Sequence, residues 1–208
     1  MTDLTTSYAG LRLKSPVIVS SSGLSNSADR IVKMAKAGAG AVVMKSLFEE
    51  QIRWEAGDLS ATSDYPEAGD YLQAYSRENS LDTYLASISK AKESVDIPVM
   101  ASINCVTSAE WTGFATSIEE AGADALELNI YFLPIDRNKD PRKFEKAYLD
   151  LVSEVRSKTD LPLIVKLGSG FSNVTWMAYQ LQQRGVNAVV LFNRFYAPDI
   201  DTDHLSFT

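Results

Sequence analysis

Polar residues end several apolar runs of this sequence, at positions where an inward-pointing side chain could do chemistry. Two of them are lysines, Lys45 and Lys166, and three are carboxamides, Asn104, Asn129 and Asn193. Buried lysines are rare unless a counter-charge meets them, and buried carboxamides need hydrogen-bond partners. The pattern predicts that these side chains meet in one polar site.

The run that ends at Asn129 is the clearest of these. Leu126 and Leu128 alternate with Glu127 and Asn129, which is the period of two typical of a strand. A carboxylate on the inward face of an apolar strand is costly unless a charged or hydrogen-bonding group meets it. Glu127 is therefore a candidate partner for Lys166, and we interpret the pair as part of a site rather than as a structural ion network alone.

Six apolar runs are predicted to be the strands that position these residues. Three of them follow a proline, which costs no ladder hydrogen bond at the first position of a strand. The other three follow a glycine of the kind that ends a helix in the left-handed conformation. The six runs lie at residues 14–20, 37–45, 96–104, 121–129, 160–167 and 184–193.

Helical spacing of apolar residues separates these strands. Residues 6–14 are predicted to form a hairpin ahead of the main body, and residues 47–78 to form a long, acidic, irregular loop. The predicted helices lie at residues 27–37, 81–95, 109–121, 141–158 and 174–184.

Strands that alternate with helices indicate a parallel sheet with the helices outside it. The apolar strands, and the lack of a glycine-rich dinucleotide fingerprint, favour a TIM (β/α)8 barrel over a doubly wound sheet. We therefore predict one α/β domain over residues 1–208, with an N-terminal β-hairpin and about the first six βα units of the barrel. A barrel of this kind needs eight strands and typically ~250 residues, so we expect strands seven and eight to be missing from this sequence.

The composition narrows the class of protein. The chain has 208 residues, a formal net charge of −7 and no cluster of basic residues, which argues against a nucleic-acid partner. No apolar run approaches the ~20 residues that a membrane span needs, so we expect a soluble, cytoplasmic protein. One cysteine, Cys105, excludes an internal disulfide framework, and one histidine, His204, makes a His-built metal site improbable.

The carboxyl ends of the strands form the mouth of such a barrel, where active sites sit. Lysines and carboxamides around one mouth suit a planar, polar heterocycle, because carboxamides both donate and accept and a lysine can offset negative charge on a reduced flavin. A second chemistry remains open: a lysine in an apolar barrel can form Schiff bases, as in class I aldolases, and Lys166 is the candidate nucleophile for such a lyase.

Five motifs in order along the chain resemble the dihydroorotate dehydrogenase family of FMN-dependent TIM barrels. They are Lys45-Ser46, Ser102-Ile-Asn104, Leu126-Glu-Leu-Asn129, Val165-Lys166-Leu and Leu191-Phe-Asn193. The resemblance covers essentially the whole chain. It implies that FMN is held by Ser21, Ser22, Lys45, Ser46, Asn104, Asn129, Lys166 and Asn193.

The resemblance also implies a reaction. A hydride passes from a substrate carbon to the flavin, Lys166 stabilises the reduced flavin, and Lys45 and Asn129 orient a small-molecule substrate, dihydroorotate or a related compound. The family often forms dimers, and the residues themselves do not decide between a monomer and a homodimer. A flavin-binding paralogue without catalysis is a further alternative.

The catalytic loop departs from the family pattern. The family reads Asn-x-Ser-Cys-Pro-Asn at this place, and its Cys or Ser removes a proton from dihydroorotate. Here the corresponding residue is Phe132, which cannot take a proton, and the orotate-binding loop is matched only by Asn79. Tyr131 is a candidate acid or base and an equally good candidate for a lid, whereas Cys105 is more typical of packing.

Overall fold

A computed structural model of the chain describes residues 2–48, 68–104, 108–130, 140–193, 200–201 and 206–207. The described part begins with the predicted hairpin, in which β1 (Thr6–Tyr8) pairs antiparallel with β2 (Leu11–Leu13). The turn between them is Ala9-Gly10, and both of its residues have positive φ, 52° and 83°. The hairpin prediction is confirmed.

Six strands follow one another in a parallel sheet, each paired with the next in chain order. A short additional strand, Leu47–Phe48, pairs with the carboxyl end of the strand Val99–Asn104. A separate antiparallel pair, Ile200–Asp201 with Ser206–Phe207, lies late in the chain. The strands are β3 (Ile18–Val19), β4 (Ala41–Val43), β5 (Leu47–Phe48), β6 (Val99–Asn104), β7 (Ala125–Asn129), β8 (Leu163–Leu167), β9 (Val186–Leu191), β10 (Ile200–Asp201) and β11 (Ser206–Phe207).

Helices connect the parallel strands, as the sequence predicts. The helices are α1 (Ala28–Lys36), α2 (Ala68–Ser94), α3 (Ser108–Glu120), α4 (Pro141–Arg156) and α5 (Val174–Gln182). The predicted helix-ending glycines are confirmed as well. Gly38, Gly122 and Gly185 each follow a helix, and each of these glycines has a φ between 80° and 100°. Five βα units and a sixth parallel strand form a partial (β/α)8 barrel, which confirms the predicted fold class.

The prediction of an irregular loop over residues 47–78 is wrong at both of its ends. Leu47–Phe48 forms β5. Helix α2 begins at Ala68, well before the predicted start at Leu81. Residues 68–78 contain aromatic and charged side chains without a clear 3.6-residue apolar period, which is why the periodicity did not reveal them.

The two faces of the sheet pack against different partners. Outward-facing residues of the strands, such as Val42, Ile103 and Leu128, join the core that the helices cover. Inward-facing residues near the amino ends of the strands join a second cluster that the hairpin closes with Leu13. The inward-facing cluster comprises Ala9, Leu13, Ala41, Val43, Met100, Ala125 and Ile164. Apolar packing thus seals the amino end of the interior and leaves the carboxyl end to polar side chains.

The sheet is strongly curled. The side chain of Asn193, which follows β9, donates from Nδ2 to Oδ1 of Asn129 on β7 over 2.7 Å, although β8 lies between these strands. Next-but-one strands of a flat sheet are ~10 Å apart, and their side chains stand perpendicular to it. Only a concave sheet brings the two side-chain tips together, as barrel geometry requires.

Gly40, just before β4, is a position where the fold leaves no room for a side chain. A Cβ atom built there would lie 1.9 Å from the backbone oxygen of Ser15. We expect Gly40→Ala to lower the free energy of unfolding by at least about 2 kcal/mol, since the strand and the chain before β3 must separate. Urea unfolding followed by circular dichroism measures this change.

Gly113 in α3 is the matched control. It is exposed, and a Cβ there would meet nothing within 4 Å. Gly113→Ala should leave the stability unchanged or raise it by up to about 1 kcal/mol, because alanine favours a helix over glycine. Equal effects of the two substitutions would contradict the close approach at Gly40.

Candidate active site

The polar residues singled out in the sequence converge at the carboxyl end of the curled sheet. They lie on or directly after six different strands, so the barrel topology alone assembles them. The residues are Ser21 after β3, Ser46 between β4 and β5, Asn104 in β6, Asn129 in β7, Lys166 in β8 and Asn193 after β9.

A buried ion pair occupies the interior below this mouth. Lys166 Nζ lies 3.5 Å from Glu127 Oε1, and the two side chains are only 11% and 2% exposed. The predicted pairing of Glu127 with Lys166 is confirmed. Because removing an ion from water costs several kcal/mol, such a pair needs further hydrogen bonds to be tolerated. Ser102 supplies one of them: its hydroxyl donates to the same Oε1 over 3.0 Å.

Three serine hydroxyls continue from the ion pair toward the mouth. Ser102 Oγ lies 2.7 Å from Ser46 Oγ, which in turn lies 3.0 Å from Ser21 Oγ. Ser46 also donates its backbone N–H to Ser21 Oγ over 2.9 Å. Ser102 and Ser46 are buried, whereas Ser21 is half-buried, so the hydroxyls run from the closed interior to the accessible end.

The carboxamides form a second set of contacts around Asn129. Asn129 Oδ1 accepts from Asn193 Nδ2 over 2.7 Å, and Asn129 Nδ2 donates to Ser46 Oγ over 3.5 Å. Asn104 Nδ2 donates to the backbone oxygen of Asn129 over 2.8 Å. These bonds fix the orientation of the Asn129 amide, because its oxygen faces a donor and its nitrogen faces an acceptor.

Ser22 and Lys45 stand apart from this network. Ser22 caps a short 3-10 turn, Gly23–Ser25, and its hydroxyl accepts from Leu24 N over 3.3 Å. Lys45 is half-buried, and its backbone N–H donates to Ser25 O over 3.1 Å. Among the described residues its ammonium group has no hydrogen-bond or ion-pair partner. Lys45 is therefore a half-buried lysine whose charge is uncompensated among the described residues.

Tyr84 on α2 is a residue of the site that sequence reasoning missed. Its hydroxyl accepts from the backbone N–H of Ser102 over 2.9 Å and donates to the Ser102 carbonyl oxygen over 3.0 Å. Strand β6 pairs with β4 at Val99 and Met100 and with β5 from Ile103 onward, so the Tyr84 hydroxyl fills the gap between those ladders. Burial raises the pKa of the Tyr84 phenol. The hydrogen bond to Ser102 lowers this pKa by less than burial raises it, and the negative charge of Glu127 raises it further.

Tyr8 of the hairpin approaches the same carboxylate from the opposite end of the interior. Burial, followed by the negative charge of Glu127, raises the pKa of Tyr8 to about 12. Both tyrosines therefore keep their neutral phenols at any physiological pH. Among the described residues that face this carboxylate, Lys166 is the cation, and the two phenols stay neutral.

The sequence is similar along most of its length to several curated proteins. The catalytic subunit of dihydroorotate dehydrogenase B (NAD(+)) of Thermoplasma volcanium is 30% identical over 97% of this chain. The proteins of the same name from Thermoplasma acidophilum and Methanocella arvoryzae are each 29% identical, over 97% and 95% of the chain. This chain is a homologue of the dihydroorotate dehydrogenases. The family resemblance inferred from the motifs is confirmed.

The match to these dihydroorotate dehydrogenases extends over part of their length. The chain spans about 65% of the length of the Thermoplasma relatives and 64% of the Methanocella relative. No family model matches the sequence. Among solved structures, an IMP dehydrogenase/GMP reductase-like protein of Corynebacterium glutamicum shares the fold, with a TM-score of 0.51 at 15% identity over 90% of this chain and 47% of its own.

Several residues that the sequence analysis considered for catalysis lie outside the described residues. They include the predicted catalytic residue Tyr131, the base position Phe132, and Cys105. The segment matching the family's orotate-binding loop, residues 76–82, lies within helix α2. None of the helices in the described part of the chain has the length and apolar character needed to cross a membrane.

Tyr84→Phe tests whether one phenol completes the sheet at Ser102. The substitution leaves a buried N–H and a buried C=O without their partner, and each such group costs about 1–3 kcal/mol. We expect the free energy of unfolding in urea to fall by about 3 kcal/mol.

Tyr179→Phe is the control for Tyr84→Phe. Tyr179 lies on α5 with 56% exposure, and its hydroxyl has no hydrogen bond among the described residues. We expect a change within about 0.5 kcal/mol. A loss at Tyr84 no larger than the loss at Tyr179 would mean that water replaces the phenol at Ser102.

Proposed function

We propose that this chain forms the flavin-binding mouth of an FMN-dependent oxidoreductase that oxidises a CH–CH bond, with dihydroorotate or a related dihydropyrimidine as substrate. The observation that carries the proposal is the convergence of Lys166, Asn104, Asn129 and Asn193 at one end of the curled sheet. The names of the homologues support the same reaction class.

The residues fit a planar heterocycle that carries both donors and acceptors along its edge. Lys166 is buried, and among the described residues its three ammonium protons have one acceptor, Glu127 Oε1, at the long distance of 3.5 Å. Asn104 Oδ1 likewise has no donor in the described part of the chain. A buried ammonium with unused donors and a carboxamide oxygen with unused lone pairs are the groups that a flavin ring can satisfy.

A bound flavin supplies a hydride acceptor, which no protein side chain provides. In the proposed reaction the positive charge of Lys166 offsets the negative charge that develops at the mouth when the hydride is delivered. Asn104, Asn193, Ser21, Ser22 and Ser46 would contact the ring system, as the family resemblance implies.

The substrate side of the proposed site is assigned to Lys45 and Asn129. Lys45 has an uncompensated charge in the described structure and suits a substrate carboxylate, which an ammonium binds as a point charge. Asn129 presents a fixed amide whose orientation is held by Asn193 and Ser46. The two residues would orient the substrate, while Tyr131 remains a proposed acid or base next to the Phe132 position.

A Schiff-base lyase that uses Lys166 is less well supported by the geometry. The nitrogen of Lys166 lies 3.5 Å from the carboxylate of Glu127, so it is engaged in an ion pair rather than free to attack a carbonyl group. Borohydride trapping in the presence of a carbonyl substrate would detect such an enzyme.

An absorption spectrum of the purified protein, followed by anaerobic addition of dihydroorotate, tests the proposed function. We expect flavin bands that bleach on addition. Lys166→Met should slow bleaching by roughly 100-fold, because it removes one preorganised charge from the site. Lys146→Met, on the exposed face of α4, is the control and should bleach at the wild-type rate.

Each outcome of this experiment has a distinct meaning. A protein without flavin would overturn the proposal and make the Schiff-base lysine the leading hypothesis. A yellow protein that no dihydropyrimidine reduces would be the non-catalytic paralogue or an enzyme for another substrate.

Phe132→Cys and Phe132→Ser test the loss of the family's base. Either substitution puts a proton-accepting group at the position that the family uses, and general base catalysis contributes about 10²–10⁴-fold. We expect a gain of roughly tenfold or more in the rate at which dihydroorotate reduces the flavin. Phe132→Ala controls for the smaller side chain. Equal rates for all three variants would mean that the substrate loop, rather than the base, has changed.

A further inference from the structure

Glu127 is a buried titratable group to which the proposed function gives no role beyond balancing Lys166. It is 2% exposed and lies at the inner end of the three serine hydroxyls, Ser102, Ser46 and Ser21. Successive oxygen–oxygen distances are 3.0, 2.7 and 3.0 Å, all within hydrogen-bond range. The hydroxyls therefore form an unbroken chain from a buried carboxylate to the half-buried Ser21 at the mouth.

The direction of every bond in this chain is fixed by Glu127. A carboxylate only accepts, so the single proton of the Ser102 hydroxyl points to Oε1. Ser102 must then accept from Ser46, and Ser46, having used its proton, must accept from Ser21. The three hydroxyl protons therefore all point inward. Ser46 Oγ also accepts from Asn129 Nδ2, so both lone pairs of this oxygen are used. An aligned chain of this kind can move a proton inward without moving any heavy atom.

The groups that face Glu127 come from three different elements of the fold. Lys166 approaches from β8, Tyr84 from α2 and Tyr8 from β1, and neither phenol is ionised at physiological pH. In the described part of the chain, Glu127 Oε2 has no hydrogen-bond donor.

We propose that Glu127 accepts, through the hydroxyls of Ser102, Ser46 and Ser21, the proton that leaves the substrate. This inference rests on the proposed function, and it supplies the proton acceptor that Phe132 cannot be. Glu127 acts only through the serines, and Ser21, the outermost of them, would take the proton at the mouth, where the flavin ring that it contacts meets the substrate. Tyr84 is a positioning residue, because it holds both backbone polar groups of Ser102.

The step balances in atoms and electrons. A bound flavin would supply the acceptor for a hydride, with its electron pair, from one substrate carbon, and the adjacent carbon would lose a proton, which would leave a carbon–carbon double bond. The proton binds the Ser21 oxygen while the Ser21 proton passes to Ser46, the Ser46 proton to Ser102, and the Ser102 proton to Glu127. Each serine ends with one proton, and Glu127 ends as a neutral carboxylic acid.

In this step the arrival of the proton at Glu127 would also help the transfer of the hydride. When Glu127 becomes neutral, Lys166 loses its anionic partner and its full positive charge is available at the mouth. The charge appears when the hydride transfer places negative charge there. Lys166 thus balances the charge of Glu127 in the resting protein and balances the charge of the reduced site after the proton has moved.

A pH jump followed by infrared absorption of the purified full-length protein tests the relay without substrate turnover. Glu127→Gln identifies the carboxylic acid band of Glu127 by its loss, and Glu127→Asp, which keeps the charge, shifts the band should Glu127→Gln fail to fold. Ser46→Ala leaves every contact of Glu127 in place and breaks the chain two bonds away. We expect it to slow the rise of the Glu127 band by at least about tenfold.

Ser15→Ala is the matched control, since Ser15 is a buried serine whose hydroxyl donates to Gly38 O outside the relay. It should leave the rate unchanged. Wild-type kinetics in Ser46→Ala would overturn the relay, and so would the absence of any Glu127-dependent band on acidification. Neither result depends on flavin reduction, so failure of the relay and failure of the proposed function are told apart.

Discussion

The burial of opposite charges on Glu127 and Lys166 is the interaction on which the rest of the interior depends. Each charge costs several kcal/mol to remove from water, and a separation of 3.5 Å does not recover that cost without further hydrogen bonds. Ser102 gives one such bond to Glu127, and Ser102 in turn needs Ser46. The polar interior therefore extends outward one partner at a time until it reaches side chains that solvent or a ligand can satisfy.

The fold restricts this polar region to one end of the sheet. The hairpin closes the amino end with Leu13, which packs against Ala41 and Ala125. The small inward-facing residues Ala41 and Ala125 leave room for the hairpin at that end. Polar groups that open at the carboxyl end agree with the prediction that the ion pair is part of a site.

The sequence predicted the strands well because their signals are local. A proline or a glycine stands before each strand, and apolar runs such as 162–165 define the strands themselves. The pairing of Glu127 with Lys166 followed from the period of two and from the rarity of buried charges. Tyr84 was not predictable, because it reaches the site from a helix and fills a gap that depends on how β4 and β5 divide their pairing with β6. Ser102 could have been found, since it shares the inward face with Asn104.

Placing a proton acceptor on a strand rather than on a loop has a physical consequence for the proposed chemistry. Glu127 cannot approach the substrate, because parallel neighbours hold β7 on both sides. A fixed acceptor needs a relay, and a relay of hydroxyls works in one direction only while its inner end is charged. Lys166 lies 3.5 Å from the Glu127 carboxylate at that end, and in the proposed step the same lysine serves the mouth once the carboxylate is neutral. An apolar residue such as Phe132 at the loop position is then compatible with catalysis, since the proton leaves through the barrel interior instead of through the loop.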